Sequence, residues 1–203
     1  DIYGRDLFSR VLLGVRVSLS IGFMAVIISN LIGIILGLVS GYYGGYLDKI
    51  IVWIINVFWS IPTLLLVIAL SLVLGKGFWQ VYIAIGLSIW VDVARLVRGK
   101  VMSEKNKDYV FASKVLGYGD LKILLSNILP NILSPILILS AANFASSILL
   151  ESGLSFLGIG SQPPTPSWGY MIKENYQYII FGNSYLILIP SIFLISLVLC
   201  FYY

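Results

Sequence analysis

Long stretches without a charged side chain constrain this chain more than any other feature. Val17–Leu47, Ile50–Gly75, Ile123–Leu150 and Tyr185–Tyr203 contain no Asp, Glu, Lys or Arg, and Gly77–Val91 is a shorter run of the same kind. An α-helix needs about 20 mainly apolar residues to cross about 30 Å of hydrocarbon. The runs therefore predict an all-α polytopic membrane protein, one transmembrane domain with five spanning helices. The approximate spans are 17–40, 50–74, 78–98, 128–150 and 185–203.

The composition excludes an ordinary soluble domain. The chain is 59% hydrophobic and 11% charged, whereas soluble domains are about 45–50% apolar and about 25% charged. It has no histidine, the commonest metal ligand and general base. Its one cysteine, Cys200, lies in an apolar run and has no second thiol for an internal disulfide.

The distribution of Lys and Arg predicts the orientation of the spans. Seven of the 13 basic residues fall between Arg95 and Lys122, so the 99–127 loop is expected to be cytoplasmic and the 151–184 segment external. Arg5, Arg10 and Arg16 then fall outside, against the positive-inside rule. An external start, in a chain that opens on Asp1 without Met and stops inside an apolar run, indicates a fragment whose missing first helix would bring the count to six.

A polar, helix-prone stretch, Asp108–Asn131, interrupts the apolar runs. Gly117 permits the left-handed turn that ends one helix and starts another. Pro130 suits the beginning of a helix, where its missing N–H is not needed. The pattern predicts a short helix, a sharp turn, a second helix and re-entry into the membrane. The basic residues alone would also be explained as a simple topology signal.

The spacing in this stretch resembles the "EAA" loop of ABC importer permeases, in which Glu-Ala-Ala is followed by three residues, Gly, nine residues and Ile-x-Leu-Pro. Ala112, Gly117, Leu129 and Pro130 match in register. The departures are Phe111 for Glu, Ser113 for Ala and Asn127 for Ile. Two further stretches, Gly4–Gly22 and Glu151–Ile172, are similar to segments of the C-type subunits of dipeptide, oligopeptide and nickel permeases.

The resemblance implies a transport subunit rather than an enzyme. The loop would form a coupling helix seated on an ATPase subunit, and ATP and Mg²⁺ would be bound by that partner, since this chain has no GxxxxGK[ST] phosphate loop. The implied coupling residues are Phe111, Ala112, Ser113, Lys114, Val115, Leu116, Gly117, Asp120, Leu129 and Pro130. The implied partners are a homologous second permease, two ATPases, an extracellular or periplasmic substrate-binding protein and the lipid bilayer, with no nucleic acid.

The 151–184 segment cannot be regular helix at its prolines, which remove donors and bias the preceding residues to extended forms. Ser167 is an expected N-cap for a helix from Trp168 to Ile180. Trp168, Tyr170, Tyr176 and Tyr178 would place that helix at the outer membrane interface. The alternative, which the resemblance favours, is an external gate where the binding protein docks. The residues proposed for it are Glu151, Pro163, Pro164, Pro166, Trp168 and Gly169.

Several single positions carry further expectations. Pro62 should kink its span and could serve as a hinge. Glu151 is interpreted either as a cap at the outer end of a span or as a gate contact. Asp92 and Arg95, three apart on one helix, can pair.

Two short motifs concern packing. Gly33 and Gly37 form a GxxxG motif, which is typical of close helix packing. The "GRD" motif, Gly4, Arg5 and Asp6, is expected to supply an ion pair that positions the first span.

Two rival classes fit the residues less well. A membrane-embedded enzyme would need a base, metal ligands or paired carboxylates inside its spans, and a proton- or sodium-coupled carrier or channel usually places carboxylates near the midplane. The spans here are almost free of charge at that depth. The favoured reading is a permease of a prokaryotic inner or plasma membrane, forming half of a peptide pathway. Nickel or a metal chelate remains the alternative cargo.

Overall fold

Every regular element in the computed structural model is helical among the residues that the structure describes, which are 4–75, 77–161, 165–179 and 182–202. This confirms the all-α prediction. The elements are α1 (Leu7–Tyr43), α2 (Gly45–Trp59), α3 (Thr63–Leu74), α4 (Phe78–Glu104), α5 (Asp108–Val115), α6 (Asp120–Lys122), a π-helical stretch (Ile123–Ile128), α7 (Leu129–Leu157), α8 (Trp168–Asn175), a 3₁₀ turn (Tyr176–Ile179) and α9 (Tyr185–Tyr202).

Three helical segments are long and apolar enough to cross a membrane within the described ranges. They are α1, α4 and the continuous helix Asp120–Leu157, and a fourth crossing is reached when α2 and α3 are taken as one broken span. The apolar part of α9, Tyr185–Phe201, is shorter than the 18 residues of a full span. The expected count of five therefore stays a prediction.

The predicted kink at Pro62 is a complete break. Helix α2 ends at Trp59, α3 begins at Thr63, and Ser60 to Pro62 between them are not helical. Pro62 has no N–H to continue the ladder, and its ring disfavours helical geometry at Ile61. Whether this break acts as a hinge stays a prediction.

The chain divides into two compact units, and α1, α4 and α7 each contribute residues to both. The first comprises the described residues of 1–27, 63–87 and 141–203, and the second comprises 28–62 and 88–140. The second unit contains the polar loop between α4 and α7. The first contains the segment that follows α7.

A line of glycines holds the second unit together. A Cβ added to Gly33, Gly37 or Gly41 would lie 2.5–2.8 Å from the Cβ atoms of valines on α4. Those valines, Val93, Val97 and Val101, are buried. The predicted role of GxxxG in close helix packing is thus confirmed, and the missing side chains bring α1 and α4 into backbone contact.

Candidate functional site

The polar segment, defined here as Asp108–Pro130, has the predicted order of a helix, a turn and a second helix. Helix α5 ends in a turn where Gly117 has φ +77°. A Cβ at Gly117 would meet nothing within 4 Å, so its backbone conformation alone makes glycine necessary there. The second helix does not stop before the membrane span, because α6 runs through the π-helical stretch into α7.

The π-helical stretch ends two residues before Pro130. A proline in a regular helix clashes with the carbonyl four residues earlier. The wider π turns, in which the Leu129 N–H donates to the Leu124 carbonyl, are the local geometry that accompanies this proline. The segment is therefore joined rigidly to a membrane helix rather than by a loop.

One face of the polar segment is buried in the core of the second unit. Val110, Ile123, Leu124 and Ile128 are buried there. Their neighbours in the cluster come from α1, α4 and α7 and are Leu38, Val93, Val97, Val101, Ile132 and Ile136. The segment is anchored by this apolar face, which fixes what its other face presents.

Ser113 belongs to the buried face and not to the exposed one. Its hydroxyl donates to the Tyr109 carbonyl at 2.8 Å and accepts a hydrogen bond from the Asn127 side-chain amide. Both positions depart from the EAA pattern, and the structure makes them each other's partners. Sequence reasoning missed this pairing, because the two residues are 14 positions apart across a turn.

The opposite face of the segment is apolar and exposed. Val115 is 88% exposed and Leu116 is 72% exposed, the largest values in the segment. Exposed side chains or glycines also occur at Phe111, Ala112, Lys114, Gly117, Tyr118, Asp120, Leu121 and Leu125. Leu129 is partly buried against the core, and Pro130 is exposed at the start of α7. An apolar patch of this kind, with few charges, is typical of a contact surface for another protein.

Polar contacts at both ends hold the segment in place. The Tyr42 hydroxyl donates to Asp120 at 2.7 Å, and the Tyr109 hydroxyl donates to Glu104 at 2.7 Å. Burial and the Glu104 carboxylate raise the pKa of Tyr109 above its ordinary value, so the phenol stays protonated and keeps donating at neutral pH. Lys107 adds an ion pair to Glu104 at 2.7 Å.

The 151–184 segment is built around α8. Ser167 caps the helix as predicted, because its hydroxyl accepts a hydrogen bond from the Tyr170 N–H at 3.2 Å. Gly169 is buried, and Pro166 is partly buried. Pro163 and Pro164 lie outside the described residues. Helix α8 itself ends at Asn175, and the 3₁₀ turn continues to Ile179.

The expectation that Trp168 anchors the segment at the membrane interface is wrong. Its side chain is 1% exposed, and its indole N–H donates to the Val11 carbonyl at 3.0 Å. A Cβ added to Gly14 would come within 2.8 Å of the Trp168 ring, so the ring packs directly on that glycine. The centroid of the ring lies 6.5 Å from that of Phe193. Trp168 is therefore a core residue of the first unit, and its burial fixes α8 against α1.

Glu151 does not cap the end of its helix, since α7 continues to Leu157. The side chain is fully buried and accepts a hydrogen bond from the Ser155 hydroxyl at 2.7 Å. Further serine hydroxyls surround it, at 3.4 Å for Ser161 and 3.5 Å for Ser152, with Ser167 as another partner. The carboxylate thus ties the end of α7 to the N-terminus of α8, and a role as a gate contact stays a prediction.

Two of the three basic residues that violated the positive-inside rule, Arg5 and Arg10, share an acidic partner. Glu174 on α8 lies 2.9 Å from the Arg5 guanidinium and 3.2 Å from that of Arg10. Asp6, the third residue of the "GRD" motif, caps α1 by accepting hydrogen bonds from the Phe8 N–H at 3.1 Å and from Ser9. Because these arginines pair with Glu174, they need not lie in the cytoplasm.

Comparisons with known proteins show the family to which this chain belongs. Residues 33–203 match the model of the family described as binding-protein-dependent transport system inner membrane component. The chain is 40% identical over 194 residues to the dipeptide transport system permease protein DppC of Bacillus subtilis (strain 168), covering 96% of this chain and 61% of that protein. It is 43% identical over 174 residues to the glutathione transport system permease protein GsiD of Escherichia coli O6:K15:H31, covering 86% of this chain and 57% of that protein. The chain thus spans about three fifths of the length of these relatives.

The fold has a counterpart among solved structures. A chain from the inward-facing MetNI methionine ABC transporter, in its CY5 native crystal form, superposes with a TM-score of 0.77. The match covers 96% of this chain and 92% of that one at 19% identity. An amino acid ABC transporter crystallised with histidines matches with a TM-score of 0.66 at 18% identity. At such identities the likeness concerns the fold.

Proposed function

Because this chain belongs to the family of binding-protein-dependent transport system inner membrane components, we propose that it is a permease subunit of an ATP-driven importer of short peptides. In this proposal the chain forms half of a translocation pathway in a prokaryotic inner or plasma membrane. ATP and Mg²⁺ are bound by separate ATPase subunits. A second permease and a substrate-binding protein complete the machine.

The observation that carries the proposal is the two-faced polar segment. Its buried face is fixed to the core of the second unit, while Val115 and Leu116 project from the other face. From Asp120 onward, the polar segment and the membrane span that follows form one continuous helix, which ends at Leu157. A push by an ATPase on the exposed face would therefore reach the membrane helix through the short turn at Gly117 and the buried face that α5 shares with the core.

The cargo follows from what the relatives are named for. DppC is a dipeptide permease and GsiD a glutathione permease, and glutathione is itself a small peptide. The names of these relatives support peptides over nickel. The described residues add nothing in favour of a metal, since they hold no group of three or more His, Cys, Asp or Glu side chains arranged as a metal site.

The test is uptake and ATP hydrolysis by the complete complex in proteoliposomes, with trialanine and a nickel chelate as separate cargoes. Val115→Arg places a charge on the most exposed apolar side chain of the segment without straining the backbone. Gly99→Arg is the matched control, because Gly99 is exposed on α4, outside the segment, and has nothing within 4 Å of its Cβ position. We expect Val115→Arg to abolish trialanine uptake and to uncouple or release the ATPase, whereas Gly99→Arg retains both activities.

Each result has a distinct meaning. Trialanine uptake that is unchanged by Val115→Arg would refute the docking role of the segment. Uptake of the nickel chelate but not of trialanine by the wild-type complex would refute the peptide assignment while leaving the importer mechanism intact.

A further inference from the structure

A cluster of polar and aromatic side chains lies on the exposed surface of the second unit, at a depth where the chain should meet hydrocarbon. It consists of Asn56 and Trp59 on α2 and Asp92 and Arg95 on α4, all of them exposed. Asp92 lies about 21 Å along α4 from Phe78 at 1.5 Å per residue. A charge at that depth is costly against lipid and in known membrane proteins faces protein or water.

A single indole ring serves both charges of the cluster. The guanidinium of Arg95 stacks on the face of Trp59, 3.8 Å from the ring centroid, and the Trp59 side chain also lies beside the Asp92 carboxylate. Arg95 also donates to the side-chain amide oxygen (Oδ1) of Asn56 at 3.4 Å. The expected ion pair is not formed, since no Asp92–Arg95 distance within 4 Å occurs among the described salt bridges.

The cluster is open toward the exposed side. A guanidinium has five N–H donors and a carboxylate about four acceptor sites, and the contacts above use a small part of them. The buried faces of the two helices are occupied elsewhere, because Ile51 and Ile55 pack against Trp90 and Ala94. The remaining hydrogen-bonding capacity of Asp92 and Arg95 therefore points away from the core of this unit.

The helix break adds an independent observation on the same surface. Ser60, Ile61 and Pro62 follow Trp59 directly, are exposed, and lie halfway along the uncharged run Ile50–Gly75. Non-helical backbone at membrane depth is tolerated where it is packed in protein or lines a water-filled cavity. The Ser60 and Ile61 N–H groups donate to the Asn56 and Phe58 carbonyls, so the N–H groups of the break are satisfied within this chain. An apolar partner surface would still leave the two charges short of hydrogen bonds, whereas a water-filled pathway satisfies them.

We propose that Asn56, Trp59, Asp92 and Arg95 line the translocation pathway and form a charged station for a passing zwitterionic peptide. Arg95, held flat by Trp59, binds the α-carboxylate, and Asp92 binds the α-ammonium. This inference rests on the proposed peptide-import function and adds to it the surface that meets the cargo.

The first test asks whether water reaches the surface. In the full complex with Cys200→Ser, Ser60→Cys is treated with a charged, membrane-impermeant methanethiosulfonate. Ser196→Cys is the matched control, since Ser196 is also exposed but lies on the uncharged helix α9. We expect labelling of Ser60→Cys and none of Ser196→Cys. No labelling of Ser60→Cys, or its cross-linking to the second permease, would assign the surface to a subunit interface and overturn the proposal.

The second test asks whether Arg95 and Asp92 recognise the charged termini of the peptide. Uptake of trialanine is compared with that of trialaninamide in wild type, Arg95→Gln and Arg95→Lys, with the same binding protein throughout. We expect Arg95→Gln to lower the ratio of trialanine to trialaninamide uptake about tenfold and Arg95→Lys to restore most of it, because the lost bond is to a charged group. Asp92→Asn should act in the same way on the ratio of trialanine to N-acetyl-trialanine.

The outcomes separate this inference from the function on which it rests. Equal losses for both cargoes would show a structural role for Arg95 and refute the station, with peptide import intact. A wild-type complex that takes up no trialanine would refute the proposed function. Labelling of Ser60→Cys would still decide whether the surface beside Asp92 and Arg95 is in contact with water.

Discussion

The contact between α1 and α4 gives the sharpest test of the structure, through the substitution Gly37→Ala. The added Cβ would lie 2.6 Å from the Cβ of Val97 and 2.8 Å from the carbonyl oxygen of Ala94. The second neighbour is helix backbone and cannot rotate away. Reaching an ordinary contact distance of 3.4 Å from the Val97 Cβ requires α4 to recede by roughly 0.8 Å, and a gap of about 0.5–1 Å forfeits a quarter to a half of the dispersion attraction across it.

The magnitude follows from a matched pair of variants. Replacing a helical glycine with alanine gains about 0.5–1 kcal/mol from backbone entropy, and Gly99→Ala should show that gain because its Cβ meets nothing within 4 Å. Gly37→Ala has the same gain but adds overpacking, which costs about 1–3 kcal/mol. We therefore expect Gly37→Ala to be less stable than Gly99→Ala by about 1–3 kcal/mol.

The assay is thermal denaturation of the detergent-solubilised complex, followed by size-exclusion chromatography of what remains assembled. A difference of that size corresponds to a Tm several degrees lower for Gly37→Ala. If the two variants melted at the same temperature, α1 and α4 would not be in backbone contact at Gly37. The close-packing interpretation of the glycine line would then be refuted.

Three further predictions concern polar and aromatic contacts. Ser113→Ala alone should destabilise the complex by about 1–3 kcal/mol, because it leaves the Asn127 amide without its partner. Asn127→Ile should cost less, because the Ser113 hydroxyl keeps its bond to the Tyr109 carbonyl, and the double variant should be nearly neutral in a double-mutant cycle. Trp168→Ala should cost about 3–5 kcal/mol through the loss of a buried aromatic, with Trp53→Ala, 66% exposed, as a mild control in the same melting assay. Asp6 has a pKa below its ordinary value of 3.8 because of the hydrogen bond from a serine hydroxyl, so its capping of α1 is present above that value and lost as the pH falls through the lowered pKa. Amide hydrogen exchange at the start of α1 should speed up over that acidic range, and Asp6→Asn, which caps without titrating, should remove the pH dependence.

The features that could be predicted from sequence are those imposed by the solvent. A helix that crosses hydrocarbon must be long and uncharged, so the uncharged runs Val17–Leu47 and Ile123–Leu150 predict most of α1 and α7. Local backbone conformation could also be predicted from the sequence. Ser167 before Trp168 forms the expected N-cap, and Gly117 takes the left-handed conformation that its place between two helices suggested.

The features that could not be predicted depend on partners far away in the chain. Trp168 has the composition of an interface residue, but its hydrogen-bond acceptor, the Val11 carbonyl, is 157 positions distant. Glu151 stands at the end of an uncharged run and so suggested a cap, yet α7 continues past it to Leu157, and the Ser155 hydroxyl one turn later donates to it. Neither placement leaves a periodic signal, since each is decided by which other helix fills the adjacent space.

The polar groups of this chain differ in whether their hydrogen bonding is completed within the chain, and that difference separates structural from functional roles. Glu151 is fully buried among serine hydroxyls, and Ser113 both donates and accepts through its one hydroxyl. Such closed sets fix one packing arrangement and leave nothing for a ligand to bind. Asp92 and Arg95 share one indole and remain exposed, an arrangement that lipid cannot satisfy. Because a membrane chain cannot leave a charge open to hydrocarbon, this open set needs water, a polar cargo or another protein beside it. If it lines the pathway as proposed, substitutions there should alter selectivity rather than stability.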